Sequence, residues 1–250
     1  MYNFVVSFEH LRVYLLQEML TKNNNEMLNW SKIATLIIYG NAPPSLAEMH
    51  RSHTATKFKI TFVDYHYHIL DQLYRPDETP TETDTPMWAR AEMNSIVYSL
   101  YSALDSLANE INLAYGFGIG ENKIHIFHSH LKFDSDCLRC NLDKQNDKLT
   151  SALNHELGQS WFLTFNKLRN QITHKNLPLI GMAISTGDPA TPDNAIHLTI
   201  PEDPTETNVT RDTKRVEINR YCLDLRNNVV KVAENTFDLL EPPIKKTFGL

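Results

Sequence analysis

Three amphipathic segments of similar length constrain this chain more than any other feature. The first opens at Ser45-Leu46-Ala47-Glu48, a capping-box pattern in which each end residue satisfies the other's free backbone amide, and runs towards Arg75-Pro76. Phe58, Phe62, Tyr65, Ile69 and Leu73 recur along it at helical spacing. Phe58 to Phe62 also alternates like a strand, but the longer period favours helix. The second opens at Thr85-Pro86, where proline's missing amide costs nothing, and carries Ile96, Leu100, Leu104, Leu107 and Ile111 until Gly116, Gly118 and Gly120 end it. The third joins Leu149, Leu153, Leu157, Trp161, Phe165, Leu168 and Ile172 in one stripe that Pro178 limits. Each predicts a helix of roughly 40 Å at about 1.5 Å per residue. Stripes of matched length bury one another when the helices run antiparallel.

The expected fold is therefore mainly all-α, an up-and-down helical bundle. Shorter helices near 4–22 and 26–38 and a last one near 214–240 surround the long segments. Between the third long segment and the last helix, Leu179–Ile184 and Ile196–Ile200 are separated by Gly187, Pro189 and Pro192, which predicts one small β-hairpin. A single domain covers 1–250, with 1–44 as an N-terminal helical extension. A 42% hydrophobic, 22% charged composition with only 8 Gly fits a chain most of which folds.

The opening residues carry Glu9, Arg12 and Glu18 and lack a basic start, so they do not read as a secretory signal. No uninterrupted apolar run is long enough to cross a bilayer. Three cysteines, Cys137, Cys140 and Cys222, are too few for a disulfide framework. Together these predict a cytoplasmic protein with no membrane partner. The net charge of −6 and pI near 6.0 exclude a protein that coats nucleic acid through a broad basic surface.

A local basic site stands out against that acidic background. From Lys167 to Lys175 the chain holds Lys167, Arg169 and Lys175, one titratable His174 and no acid. Arg169 offers a planar fork of donors matched to phosphate. His174 falls near a helix C-terminus, where the dipole favours imidazolium. Asn170, four residues before it, shares its face and can orient the imidazole or meet a ligand. The same residues also fit an ordinary solvated helix end.

Arg169-Asn170-x-x-x-His174 resembles the Arg-x(4 to 6)-His signature, with a polar residue after the Arg, of the HEPN (higher eukaryotes and prokaryotes nucleotide-binding) superfamily. Met93 to Tyr115 is similar to the preceding core helix of some members, and the resemblance covers residues 45 to 240. It implies a helical bundle and a metal-independent RNA endonuclease in which two copies of the motif meet across a homodimer interface. His174 would then be general base or acid at the ribose 2′-hydroxyl, Arg169 would stabilise phosphate charge and Asn170 would position. Lys167 and Lys175 would hold RNA phosphates. Asp105 or Glu110 would supply a polar partner on the neighbouring helix, with nothing in the spacing to choose between them. The implied ligand is single-stranded RNA or a nucleotide, with an antitoxin as a further partner if the protein is a toxin or stress effector, and no cofactor is called for. Many members of this superfamily do not cut RNA, so a non-catalytic module binding nucleotide, RNA or protein is the alternative.

Rival sites are weaker. His125, His128, His130, Cys137 and Cys140 hold enough donors for tetrahedral zinc, but one Cys-x-x-Cys beside scattered histidines lacks the two ligand pairs of a structural site, so a surface loop or short helix with unpaired thiols is expected and no metal. His66 and His68 fall on different helix faces and read as packing and surface residues. Gly116-x-Gly118-x-Gly120 lacks the strand and following helix of a phosphate-binding loop.

Overall fold

A computed structural model describes residues 44–73, 85–120, 124, 138–145, 147–174, 180–186 and 194–249. The helices expected near 4–22 and 26–38 lie outside the described residues. The chain divides into two compact units, Met1–Arg51 and Ser52–Leu250. Of the first, only the opening turns of a helix that continues into the second are described.

The elements run α1 (Pro44–Gln72), α2 (Thr85–Tyr115), α3 (Leu138–Gln145), α4 (Lys148–Leu157), α5 (Ser160–His174), β1 (Gly181–Thr186), β2 (Asn194–Pro201), β3 (Arg215–Glu217) and α6 (Ile218–Phe248). The fold is mainly helical with a small antiparallel sheet, as the periodicity predicts.

α2 is the hub. Its Met93, Ile96, Val97, Leu100, Leu104, Leu107 and Ile111 are fully buried. It ends because Gly116 adopts φ +65°, a left-handed conformation that a Cβ resists. The Gly116 amide then donates to Leu113 O and the Phe117 amide to Asn112 O, which satisfies the last carbonyls. Asn112 clamps the following loop, donating from Nδ2 to Ile119 O at 3.2 Å and accepting from the Ile119 amide at 3.0 Å.

Side-chain pairs fix the directions of the neighbours. Lys59 meets Ser106 and Ser102, and His66 meets Glu92, so α1 runs antiparallel to α2. Asp64 pairs with Arg226 at 2.8 Å and Asp71 with Asn219 at 3.2 Å, so α1 also runs antiparallel to α6. Phe165 packs on Tyr101 and Thr173 meets Tyr98, so α5 is antiparallel to α2. This alternation is the expected up-and-down topology.

Two expectations need correction. The third long helix is two helices, α4 and α5, broken at Gly158-Gln159. There the Gln159 amide turns back to Glu156 O, three residues away, instead of extending the α pattern. Asp147 caps α4 by accepting from the Thr150 amide at 2.9 Å. The last helix starts at Ile218 rather than near 214, because Arg215–Glu217 pairs with β2 as a third strand. Arg215 anchors that strand through two 2.9 Å bonds, from Nε to Thr199 Oγ1 and from Nη2 to Thr199 O. The expected hairpin is β1–β2, with Gly181 opposite Thr199 and Thr186 opposite Asn194.

Candidate functional site

α5 buries Phe162, Phe165 and Leu168, and this decides where the motif side chains go. Arg169 follows Leu168 and lies along α2, where its guanidinium carbon is 4.1 Å from the centroid of the Tyr101 ring. Nη1 donates to Asn170 Oδ1 at 3.0 Å, while Nε is buried without a hydrogen-bond partner. The ring supplies a negative face for the cation. One turn on, Thr173 donates from Oγ1 to Arg169 O at 2.8 Å and accepts from the Tyr98 hydroxyl at 3.3 Å. Two tyrosines of α2 therefore hold the last turns of α5.

His174 is the final residue of α5 and is exposed, as are Asn170 and Lys167. Arg169 and His174 are five residues apart, which places them about 140° apart around the helix and about 7.5 Å apart along it. Asn170 and His174 share a face, as the sequence predicts. Lys175 lies outside the described residues.

The two candidate acids separate cleanly. Asp105 sits one turn beyond Tyr101 on α2 and acts electrostatically on both Tyr101 and Lys59. Burial pushes the Tyr101 hydroxyl up, Asp105 adds to that shift and Arg169 opposes it. Lys59 donates to Ser102 O at 3.0 Å and Ser106 Oγ at 2.7 Å, and its burial lowers its pKa against the pull of Asp105. Asp105 thus belongs to the neighbourhood of Arg169. Glu110 does not. It is 0% exposed, accepts from Thr56 at 2.7 Å and faces His53 Nδ1 at 3.1 Å, inside the α1–α2 contact.

The sequence reading missed Tyr101 against Arg169, Tyr98 against Thr173 and Lys59 against Ser102 and Ser106, and missed the His53–Thr56–Glu110 cluster. Tyr101 was signalled in part by its four-residue spacing from Asp105, which puts both on one face of α2. His66, expected as packing, is held by Glu92 at 2.6 Å with the Phe62 ring edge-on to it, and His68 bonds Gln72.

Among the described residues no three His, Cys, Asp or Glu side chains gather into a metal-holding group. His125, His128, His130 and Cys137 lie outside those residues, and Cys140 lies on α3. No helix among the described residues is long and apolar enough to cross a membrane. No family model, no curated protein and no solved structure matches the chain.

Proposed function

We propose that the chain is a HEPN-like, metal-independent RNA endonuclease whose active site is composed from two copies. The observation that carries this reading is the placement of Arg169 on Tyr101 with His174 at the exposed end of the same helix. A guanidinium held against a ring keeps donors in a fixed fork for a phosphate. An exposed imidazole is a side chain able to act as general base or acid. Because the two leave α5 about 140° apart, a second copy related by two-fold symmetry is what would bring an imidazole to a guanidinium and supply separate acid and base.

In this mechanism one His174 removes the proton from the ribose 2′-hydroxyl, and that oxygen attacks the adjacent phosphorus. The bond to the 5′-oxygen breaks, and the second His174 returns a proton to that leaving oxygen. Arg169 offsets the charge gathering on the phosphoryl oxygens. Asn170 orients the imidazole on its own face, Lys167 and Lys175 hold flanking phosphates, and Asp105 positions Arg169 through Tyr101. The products are a 2′,3′-cyclic phosphate and a free 5′-hydroxyl. A cytoplasmic toxin or stress effector restrained by an antitoxin is the setting that fits such an activity.

The test is cleavage of single-stranded RNA in EDTA, where the nucleophile is the substrate's own hydroxyl. DNA should be spared, and His174→Ala should slow cleavage roughly 10²- to 10⁴-fold. Equal cleavage by wild type and His174→Ala would sink the catalytic reading. The non-catalytic module would then be preferred, favoured by the engagement of Arg169 with Tyr101 and Asn170 within one chain.

A further inference from the structure

All four exposed aromatic residues among the described ones, Phe58, Phe62, Trp88 and Tyr98, stand on α1 or α2. Phe58 is 64% exposed and Phe62 43%, although each apolar ring left in water forgoes a favourable burial. They do not belong to the core stripe of α1, which buries Thr56, Val63 and Leu70.

The rings are nonetheless ordered. Phe58 and Phe62 are 6.3 Å apart and 14° from parallel, and Phe62 and Tyr65 are 6.1 Å apart and 20° from parallel. His66, held by Glu92, meets the Phe62 ring edge-on at 4.4 Å and props it from behind. Trp88 lies one turn before Glu92, on the same side of α2.

This ladder shares a level of the bundle with the Arg169 site. Lys59, between the two phenylalanines, reaches Ser102 and Ser106, and Tyr101 in the same turn of α2 carries Arg169. Lys59 and Tyr101 thus place α1 and α5 on the same stretch of α2. From Ser52 to Val63, α1 carries Lys57 and Lys59 and no acid. Asp64, the next acid, is turned away to Arg226.

We propose that Phe58 and Phe62 form a stacking platform for successive bases of a single-stranded RNA whose phosphate backbone crosses α2 to Arg169. Parallel exposed rings offer faces to any base, and the flanking Lys59 and Arg169 match the charge of the backbone. This rests on the reading of Arg169 as an RNA site and adds how the strand is gripped. Because stacking tolerates every base, the grip selects unpaired RNA over duplex rather than one sequence.

The test is anisotropy of a short fluorescein-labelled single-stranded oligoribonucleotide, titrated with full-length His174→Ala protein so that the probe survives. Phe58→Ala and Phe62→Ala should each weaken binding roughly tenfold or more. Neither should change the dependence on salt, because a ring releases no counterions, whereas Arg169→Ala should lower that slope by about 0.7. Phe58→Trp should bind at least as well as the parent, which a mere packing role would not give. Unchanged affinity in both alanine variants, with Arg169→Ala still weakened, overturns the platform and leaves the Arg169 reading standing. Ring-dependent binding by a protein that cuts no RNA leaves the platform standing and removes the nuclease reading. If sedimentation shows that Phe58→Ala splits an assembly of two chains, the face is a contact between copies and the platform is wrong.

Discussion

The Arg169 guanidinium carbon lies 4.1 Å from the centroid of the Tyr101 ring, joining α5 to α2 at the level where the candidate site sits. The contact gives the guanidinium a fixed orientation that an isolated surface arginine would lack. It also couples the site to Asp105, whose charge acts on the same tyrosine.

The ring, rather than the hydroxyl, is expected to carry that coupling. Tyr101→Phe keeps the cation–π contact, and its RNA affinity should match the parent. Tyr101→Ala loses the contact and opens a void beside Phe165, at a cost of about 2 kcal/mol or more. Urea unfolding together with RNA titration would check this, and a larger loss from Tyr101→Phe than from Tyr101→Ala would assign the role to the hydroxyl.

His53 and Glu110 hold one proton between them, and this sets a pH window for stability. Burial pushes Glu110 up from 4.5 to about 8 against the Thr56 hydrogen bond, and burial with Lys57 pushes His53 down from 6.5 to about 3. Between 4.5 and 6.5 the folded and unfolded pairs each carry one proton, so their contribution is level. Below that range the unfolded chain takes a second proton that the buried histidine refuses, and stability falls with pH. Above it the unfolded chain releases its last proton while buried Glu110 keeps one, and stability falls as pH rises. In Glu110→Gln the amide can keep both partners and cannot ionise, so the alkaline loss should vanish, while the acid loss should begin already below 6.5, where the unfolded histidine takes a proton that the buried one refuses. Unfolding midpoints from roughly pH 5 to pH 9 would show it, and an unaltered alkaline slope in Glu110→Gln would assign that slope to other groups.

How much was legible in the sequence depended on range. α2 was legible to its ends, because Thr85-Pro86 and Gly116 carry their own conformational rules. The break at Gly158 was not, since Leu153, Leu157, Trp161 and Phe165 keep a four-residue spacing straight through it. A stripe records which side is buried and not whether the backbone is continuous. The candidate motif could be named from the sequence alone, as Arg169, Asn170 and His174. Its setting was not, because Tyr101 is brought to Arg169 and His53 to Glu110 only by antiparallel packing of distant helices. The same packing sets Asp105 and Glu110 apart, five residues on α2 separating a partly exposed position from a fully buried one.

Gly116 gives a local test of how α2 is terminated. At φ +65° any side chain is strained, and a Cβ there would meet Thr247 Cγ2 at 3.3 Å. Gly116→Ala should therefore lower stability by about 1–2 kcal/mol. Gly120→Ala is the control, since its Cβ would meet nothing within 4 Å and its φ is not positive. Equal unfolding midpoints for the two variants would show that the left-handed turn does not limit stability.

The proposed composite site makes a sharper demand than the loss of activity in single variants. Arg169→Ala and His174→Ala chains should each be inactive as pure preparations, since each two-fold assembly then lacks one group entirely. Co-expressed under different tags and purified through both, they form assemblies with one chain of each kind. In such an assembly the Arg169→Ala chain still brings His174 and the His174→Ala chain still brings Arg169, so one cross-chain pair is intact and the other is lost. If one cross-chain pair sufficed without a second imidazole, cleavage should return to about half of the wild-type rate per assembly. If cleavage needs both groups from one chain, the mixed assembly should stay as inactive as its parents. The mechanism proposed above uses both imidazoles, as base and acid, and on it the mixed assembly should also fail, so the pH profile of the wild type separates that case from a site within one chain. Two imidazoles in opposite protonation states give a bell-shaped rate profile, whereas a single one gives only one limb. A mixed assembly that stays inactive beside a wild type with a one-limbed profile would therefore place the site within one chain.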